Sequence, residues 1–263
     1  MKVTISLGQI DVIEGEPDKN LAAVRKMTAR AASRKSDAII FPELWSSGFD
    51  LAHAERYAAP VDQGIFKQTA ELARRFGLHI VGSNLATDGE GRFTNTAVVY
   101  SPTGENLGAY EKIHLFGPMG EKRYLAAGMK AVLVELPWCK AGLAICYDLR
   151  FPELFSGFGE AGAKLILLPA QWPEPRIEHW HTLIRARAIE NQLFVAACNR
   201  VGVTGKSRFP GHSLIVDPMG EILVEGGEDE QLLTAEIDLN RVETARSLFD
   251  INEDRRLDSY RNF

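Results

Sequence analysis

Three residues of different chemistry each stand where an apolar run ends. Glu43 follows Ala38-Ile39-Ile40-Phe41-Pro42. Lys112 closes the run from Leu107, within Tyr110-Glu111-Lys112-Ile113-His114-Leu115-Phe116, and Cys146 closes Ala141-Gly142-Leu143-Ala144-Ile145. Ligands in open α/β sheets gather at the carboxyl ends of strands, so a carboxylate, an ammonium and a thiol are expected to converge. A free thiol has a pKa of about 8.5 and is mostly protonated at neutral pH. A carboxylate within hydrogen-bond reach takes that proton as sulfur attacks a carbonyl carbon. The resulting oxyanion needs donors. A lysine ammonium and a backbone N–H at the start of a helix supply them, and losing one such donor costs about 10²–10³ in rate. The new carboxylic acid protonates a leaving amine, and water activated by the same carboxylate cleaves the thioester. This is acyl transfer from nitrogen to water, with neither metal nor cofactor required.

The elements that must hold these groups alternate strand and helix. Val3, Ile5 and Leu7 alternate with polar or small residues, as a half-buried strand does. Pro17 opens a helix with Leu21, Val24, Met27 and Ala31 on one face, and a second helix over 66–76 stops at Gly77, a C-cap residue. Strands are expected at 38–41, 78–83, 96–100, 107–112, 132–136, 141–146, 165–168, 194–198, 214–217, 222–225 and 232–237. Further helices are expected at 151–161, 177–192 and 240–249, and hairpin turns at 102–105 and 217–220. Runs such as Leu165-Ile166-Leu167-Leu168 need cover on both faces. Two face-to-face sheets with helices outside would provide it.

The 263 residues carry 30 basic and 35 acidic side chains, a net charge of −5, which argues against a nucleic-acid partner. With 45% apolar residues and no linker, repeat or low-complexity stretch, one domain over 1–263 is expected. No window approaches the ~20 apolar residues of a membrane span. No signal core follows Met1, so a cytoplasmic location is expected. Cys139, Cys146 and Cys198 are too few for a disulfide framework.

Taken together, Phe41-Pro42-Glu43-Leu44, Glu111-Lys112-Ile113-His114-Leu115-Phe116 and Cys146-Tyr147-Asp148-Leu149-Arg150-Phe151-Pro152-Glu153 resemble the nitrilase superfamily of carbon–nitrogen hydrolases. The likeness extends through Ala186–Gln192 and Gly211-His212-Ser213. The resemblance implies a four-layer α-β-β-α sandwich, a homodimer, and no cofactor or metal. It implies Glu43 as general base and acid, Lys112 as oxyanion stabiliser, Cys146 as nucleophile and the Tyr147 amide as second oxyanion donor. Glu121 fits the position of a further glutamate that orients substrate or water.

Cys146-Tyr147-Asp148 differs from the Cys-Trp-Glu of true nitrilases, and Gln171-Trp172-Pro173-x-Pro175-Arg176 followed by Trp180 resembles bacterial omega-amidases. The implied substrate is a small aliphatic amide with a distal carboxylate, a 2-oxo acid omega-amide such as 2-oxoglutaramate. A deaminated-glutathione or other small-amide amidase is the alternative, and a catalytically silent scaffold the rival from another class. Arg150 is placed to clamp the carboxylate in a charge-assisted pair, unless it pairs with Glu153 or Asp148. Trp172 would wall the pocket.

Other residue patterns carry less. Gly202-Val203-Thr204-Gly205-Lys206-Ser207 looks like a phosphate loop, but Arg200 stands where its first glycine belongs, and Pro210 blocks the required helix. His179 and His181, two apart on a helix, cannot chelate one ion as an i, i+4 pair does. They are expected as a packed or pocket-lining pair, with a papain-like role beside Cys146 as a competing mechanism. Cys139 and Cys198 read as structural.

Overall fold

The computed structural model describes residues 1–260; the end of the expected domain, 261–263, lies outside the described residues. In chain order the strands are β1 (Lys2–Gln9), β2 (Ala38–Ile40), β3 (His79–Thr87), β4 (Phe93–Tyr100), β5 (Asn106–Glu111), β6 (Leu133–Glu135) and β7 (Lys140–Leu143). They continue with β8 (Leu165–Ala170), β9 (Phe194–Asn199), β10 (Val201–Thr204), β11 (Ser207–Pro210), β12 (Leu214–Val216), β13 (Ile222–Glu225) and β14 (Gln231–Asp238).

Two six-stranded mixed sheets form, ordered β14-β1-β2-β3-β4-β5 and β13-β12-β9-β8-β7-β6. Each has three parallel strands at its centre: β1-β2-β3 in one, β7-β8-β9 in the other. Antiparallel strands complete both edges. The sheets pack face to face, with β1, β2 and β3 against β8 and β9. Helices Pro17–Ser33 and Gly64–Phe76 cover the first sheet, and Pro152–Glu160 and Ile177–Asn191 lie over the second. The result is the expected α-β-β-α order. It explains why β8 is apolar at every position: all six of its residues are buried. Each such aliphatic side chain contributes roughly 1.5–3 kcal/mol on removal from water.

Helix starts and stops follow local chemistry. Pro17 and Pro152 open their helices, where a missing N–H costs nothing. Gly77, at φ 69°, closes the helix that begins at Gly64. Gly142 in β7 has a different purpose. A Cβ there would come within 2.7 Å of the Phe158 ring, so only glycine lets the covering helix lie this close to the strand that leads to Cys146.

Some expected boundaries move. The strand expected over 141–146 ends at Leu143, and Cys146 instead begins a 3₁₀ turn, Cys146–Arg150. Lys112 lies one residue past β5. The segment resembling a phosphate loop is the β10-β11 hairpin, which the apolar pattern did not announce.

Candidate active site

The parallel strands of the two sheets deliver the key groups to one place. β2 leads through Phe41-Pro42 to Glu43, and β7 leads to Cys146. The antiparallel strand β5 delivers Lys112, whose amide donates to Asn95 O of β4 at 2.9 Å. Glu43, Lys112 and Glu121 are wholly buried at their side chains. Lys112 Nζ donates to Glu43 Oε1 at 2.6 Å and to Glu121 Oε2 at 2.7 Å. An ammonium has three N–H bonds. Two are committed to these carboxylates, and the third is free to face the cavity that Lys112 and Cys146 both line. Cys146 Sγ donates to Gln171 O at 3.8 Å, and Glu43 lies near enough to raise the pKa of the thiol. Lys112 and Cys146 thus line one cavity, with Glu43 and Glu121 buried behind them on the Lys112 ammonium.

Two further residues fix the glutamates, and sequence reasoning did not single them out. Asn95 Nδ2 donates to Glu43 Oε1 at 2.8 Å and to Glu121 Oε1 at 3.1 Å. Gln171 clasps Glu43 from the second sheet: its amide donates to Glu43 Oε2 at 3.0 Å, and its Nε2 to Glu43 O at 2.7 Å. Glu121 also accepts the Phe116 amide at 2.6 Å. No motif logic flags Asn95. It faces inward on β4, and only the pairing of sheet neighbours brings it to the glutamates.

Cys146 has φ 44°, in the left-handed region that non-glycine residues avoid at a cost of order 1–3 kcal/mol. The turn is held by Asp148, which accepts from the Ile145 amide at 2.8 Å, Tyr110 Oη–H at 2.7 Å and the His114 amide at 3.1 Å. His114 Nδ1 lies 2.7 Å from the same carboxylate, and the His114 ring stacks on Phe151 at 3.6 Å. Asp148 is therefore committed to the turn and leaves Arg150 unpaired by it. As the first turn of a helix leaves its early N–H groups without internal partners, the Tyr147 amide is available beside the sulfur.

Electrostatics set the resting protonation. Burial raises the Glu43 pKa, and Glu121 adds to this, while Lys112 opposes it. Burial works against the Lys112 ammonium, but Glu43 and Glu121 outweigh it and raise its pKa. Burial also pushes the Cys146 thiol well above its ordinary value, with Glu43 acting in the same direction. Cys146 consequently rests as a protonated thiol, and any attack by its sulfur would need a base to take that proton.

The cavity beyond Cys146 is walled by Phe49, Phe116, Met119, Tyr147, Trp172 and Pro173 and carries two guanidinium groups, Arg150 and Arg176. Arg150 lies 4.8 Å over the Trp172 ring, and its Nη2 is 3.1 Å from His179 Nδ1. Arg176 lies 5.3 Å over Phe116. Trp172 is both wall and core: it is 2% exposed and packs at a tilt against Trp180. Arg176 was quoted within a motif but not singled out as a site residue. Its signal was its place four residues after Trp172, whose indole donates to Arg176 O at 2.7 Å.

The two helix histidines do not pack together. His179 turns to Arg150, and His181 to Glu225. Neither lines the Cys146 cavity, which leaves the papain-like alternative without its base. Cys198 is buried beside Ser213, and burial raises the pKa of Cys139 to about 12, as suits structural thiols.

Against this geometry, the carbon-nitrogen hydrolase family model matches residues 4–247. The chain belongs to the carbon-nitrogen hydrolase family. It is 38% identical over 260 residues to a 2-oxoglutaramate amidase of Bacillus subtilis (strain 168), covering 99% of this chain and 100% of that one. It is 40% identical over 235 residues to a 2-oxoglutaramate amidase of Paenarthrobacter nicotinovorans, covering 85% and 80%. Among solved structures, a superfamily member from Xanthomonas campestris with an arsenic adduct in its active site superposes with a TM-score of 0.91. That protein is 33% identical, with 97% and 98% of the two chains covered. A glutamate-to-glutamine mutant of an amidase from Nesterenkonia sp. AN1 carries the acetamide moiety of fluoroacetamide on its active-site cysteine. It gives a TM-score of 0.88 at 28% identity, covering 99% and 96%. The chain is an amidase of the nitrilase superfamily, as its motifs suggested.

Proposed function

We propose that this amidase removes ammonia from a small 2-oxo acid omega-amide, with 2-oxoglutaramate as the leading substrate. One observation carries the reading: a thiol and an ammonium, the latter bonded to the buried Glu43, line a cavity that two arginines also line. The named activity of the two bacterial relatives supports the same substrate.

The chemistry follows from the contacts. Cys146 Sγ attacks the amide carbon as Glu43 takes the thiol proton. Lys112, through its third N–H, and the Tyr147 amide hold the oxyanion. Glu43 passes its proton to nitrogen, the C–N bond breaks and ammonia leaves. Water then gives a proton to Glu43 and its oxygen to the thioester carbon. The C–S bond breaks, sulfur recovers the proton, and the acid is released. Glu121 gives Lys112 a second buried carboxylate partner and keeps it an ammonium throughout.

Arg150 and Arg176 clamp the distal carboxylate, and Trp172 backs Arg150 so that its plane faces the substrate. A charge-assisted hydrogen bond contributes about 1.5–3 kcal/mol. Replacing either arginine by alanine is therefore expected to raise KM for carboxylate-bearing amides by roughly 10–100-fold. Uncharged amides of the same length should change little. Ammonia release from a matched panel decides: equal losses on both classes refute the clamp. Among the described residues no helix is long and apolar enough to cross a membrane. We take the enzyme to be one catalytic domain, to work in the cytoplasm and to pair as a homodimer. Sedimentation tests the pairing.

A further inference from the structure

We propose that His181, His212 and Glu225 form a binding site for one divalent transition-metal ion, separate from the hydrolytic cavity. Glu225 Oε1 lies 2.9 Å from His181 Nε2 and 2.9 Å from His212 Nδ1. All three donor atoms lie within 4.8 Å of one another. Ligands about 2.0–2.1 Å from a tetrahedral zinc ion stand roughly 3.3 Å apart. Side-chain torsions of roughly 1 Å reach are enough to close the three donors on an ion.

The three residues come from separate elements, and packing that does not involve their side chains already holds them together. His181 is in the second turn of the helix Ile177–Asn191, His212 precedes β12, and Glu225 ends β13. Glu225 pairs in register with Leu214, and the Gly226 amide donates to Ser213 O at 2.9 Å. This sets Glu225 beside His212. The Trp180 indole donates to His212 O at 2.7 Å, which ties the helix to the same loop. His212 itself has φ 53°, so its imidazole is aimed by a backbone conformation that most residues avoid.

The donor chemistry selects the ligand. Two imidazoles and one carboxylate suit zinc, nickel or copper rather than magnesium or calcium. The side chains are 25%, 28% and 32% exposed, so an ion can enter and keep water in its remaining positions. Each neutral ring presents its lone pair by moving its N–H proton to the other ring nitrogen. None of the three residues lines the Cys146 cavity. The ion therefore acts as a cross-link between the helix, the loop and the edge strand β13, and takes no part in hydrolysis.

Zinc is the probe, and Cys146→Ala removes the competing active-site sulfur. After chelator treatment, calorimetric titration of this variant should show one zinc ion per chain and a rise in Tm at saturation. Adding His181→Ala or Glu225→Gln should weaken binding by about tenfold or more and abolish the rise. Both changes are on partly exposed side chains, and the zinc-free Tm of each variant reports its folding. No binding up to about 100 µM zinc, or unchanged affinity in both variants, as from a site at Cys139, would overturn the proposal.

Discussion

Replacing Lys112 by methionine keeps the unbranched side chain to within one heavy atom and deletes its charge. Its Nζ lies 2.6 Å from one buried carboxylate and 2.7 Å from another, with no exposure on any partner. Breaking a buried ion pair by removing one partner costs about 3–5 kcal/mol, because the remaining charge is stranded. A domain with about 5–15 kcal/mol of stability survives that loss. The penalty must depend on pH. Without the ammonium, Glu43 loses the influence that lowers its pKa, while burial still raises it. Its folded pKa then lies further above its unfolded value of about 4.3. Below that value both states are protonated and the variant is penalised least. As pH rises through the window, the unfolded state releases its proton first, and the native state weakens. Urea denaturation of wild type and variant at pH 5 and pH 8 measures the difference. The destabilisation should be larger at pH 8, and Glu121→Gln in the same chain should recover part of it. A stability gap that is the same at both pH values, and untouched by the second change, refutes the reasoning. The same variant should lose about 10²–10³ in kcat through the missing oxyanion donor.

Alkylation offers a second test. Iodoacetamide should modify Cys146 faster than Cys139 or Cys198, and Glu43→Gln should slow it, because the raised thiol pKa leaves attack dependent on that base; peptide mapping reads both. Asp148→Ala removes the acceptor of four contacts that hold the Cys146 turn. It should cost about 2–4 kcal/mol in a denaturant melt, and kcat should fall even at temperatures where the variant is fully folded.

The sequence announced the parts that repeat or react. Strands such as Leu165-Ile166-Leu167-Leu168 are apolar throughout because they are covered on both faces, so the layered sheets were legible before any coordinates. Glu43, Lys112 and Cys146 were visible because their types are complementary and each follows an apolar run. What stayed hidden depends on neighbours distant in sequence. Asn95 and Gln171 reach Glu43 across 52 and 128 positions, and neither sits in a pattern that chemistry alone would flag. The β10-β11 hairpin has strands of only four residues, one of them with the apolar Val203 exposed, which is too short a pattern for periodicity to register. The strand expected to end on Cys146 stops early because Asp148 captures the Ile145 amide and turns the chain. Arg150 could be placed near Cys146 from its spacing. Its stacking on Trp172 depends on a loop from another strand.

The central claim is that sulfur carries the acyl group and Glu43 moves its proton. Rapid quenching during turnover of a 2-oxo acid omega-amide, followed by mass analysis of the whole chain and its peptides, tests this directly. The expected result is a mass gain equal to the acyl group on Cys146 in wild type, none in Cys146→Ala, and acylation slowed by about 10²–10⁴ in Glu43→Gln. Acylation of Cys146 at the wild-type rate in Glu43→Gln, or an acyl group found on any other residue, would contradict it.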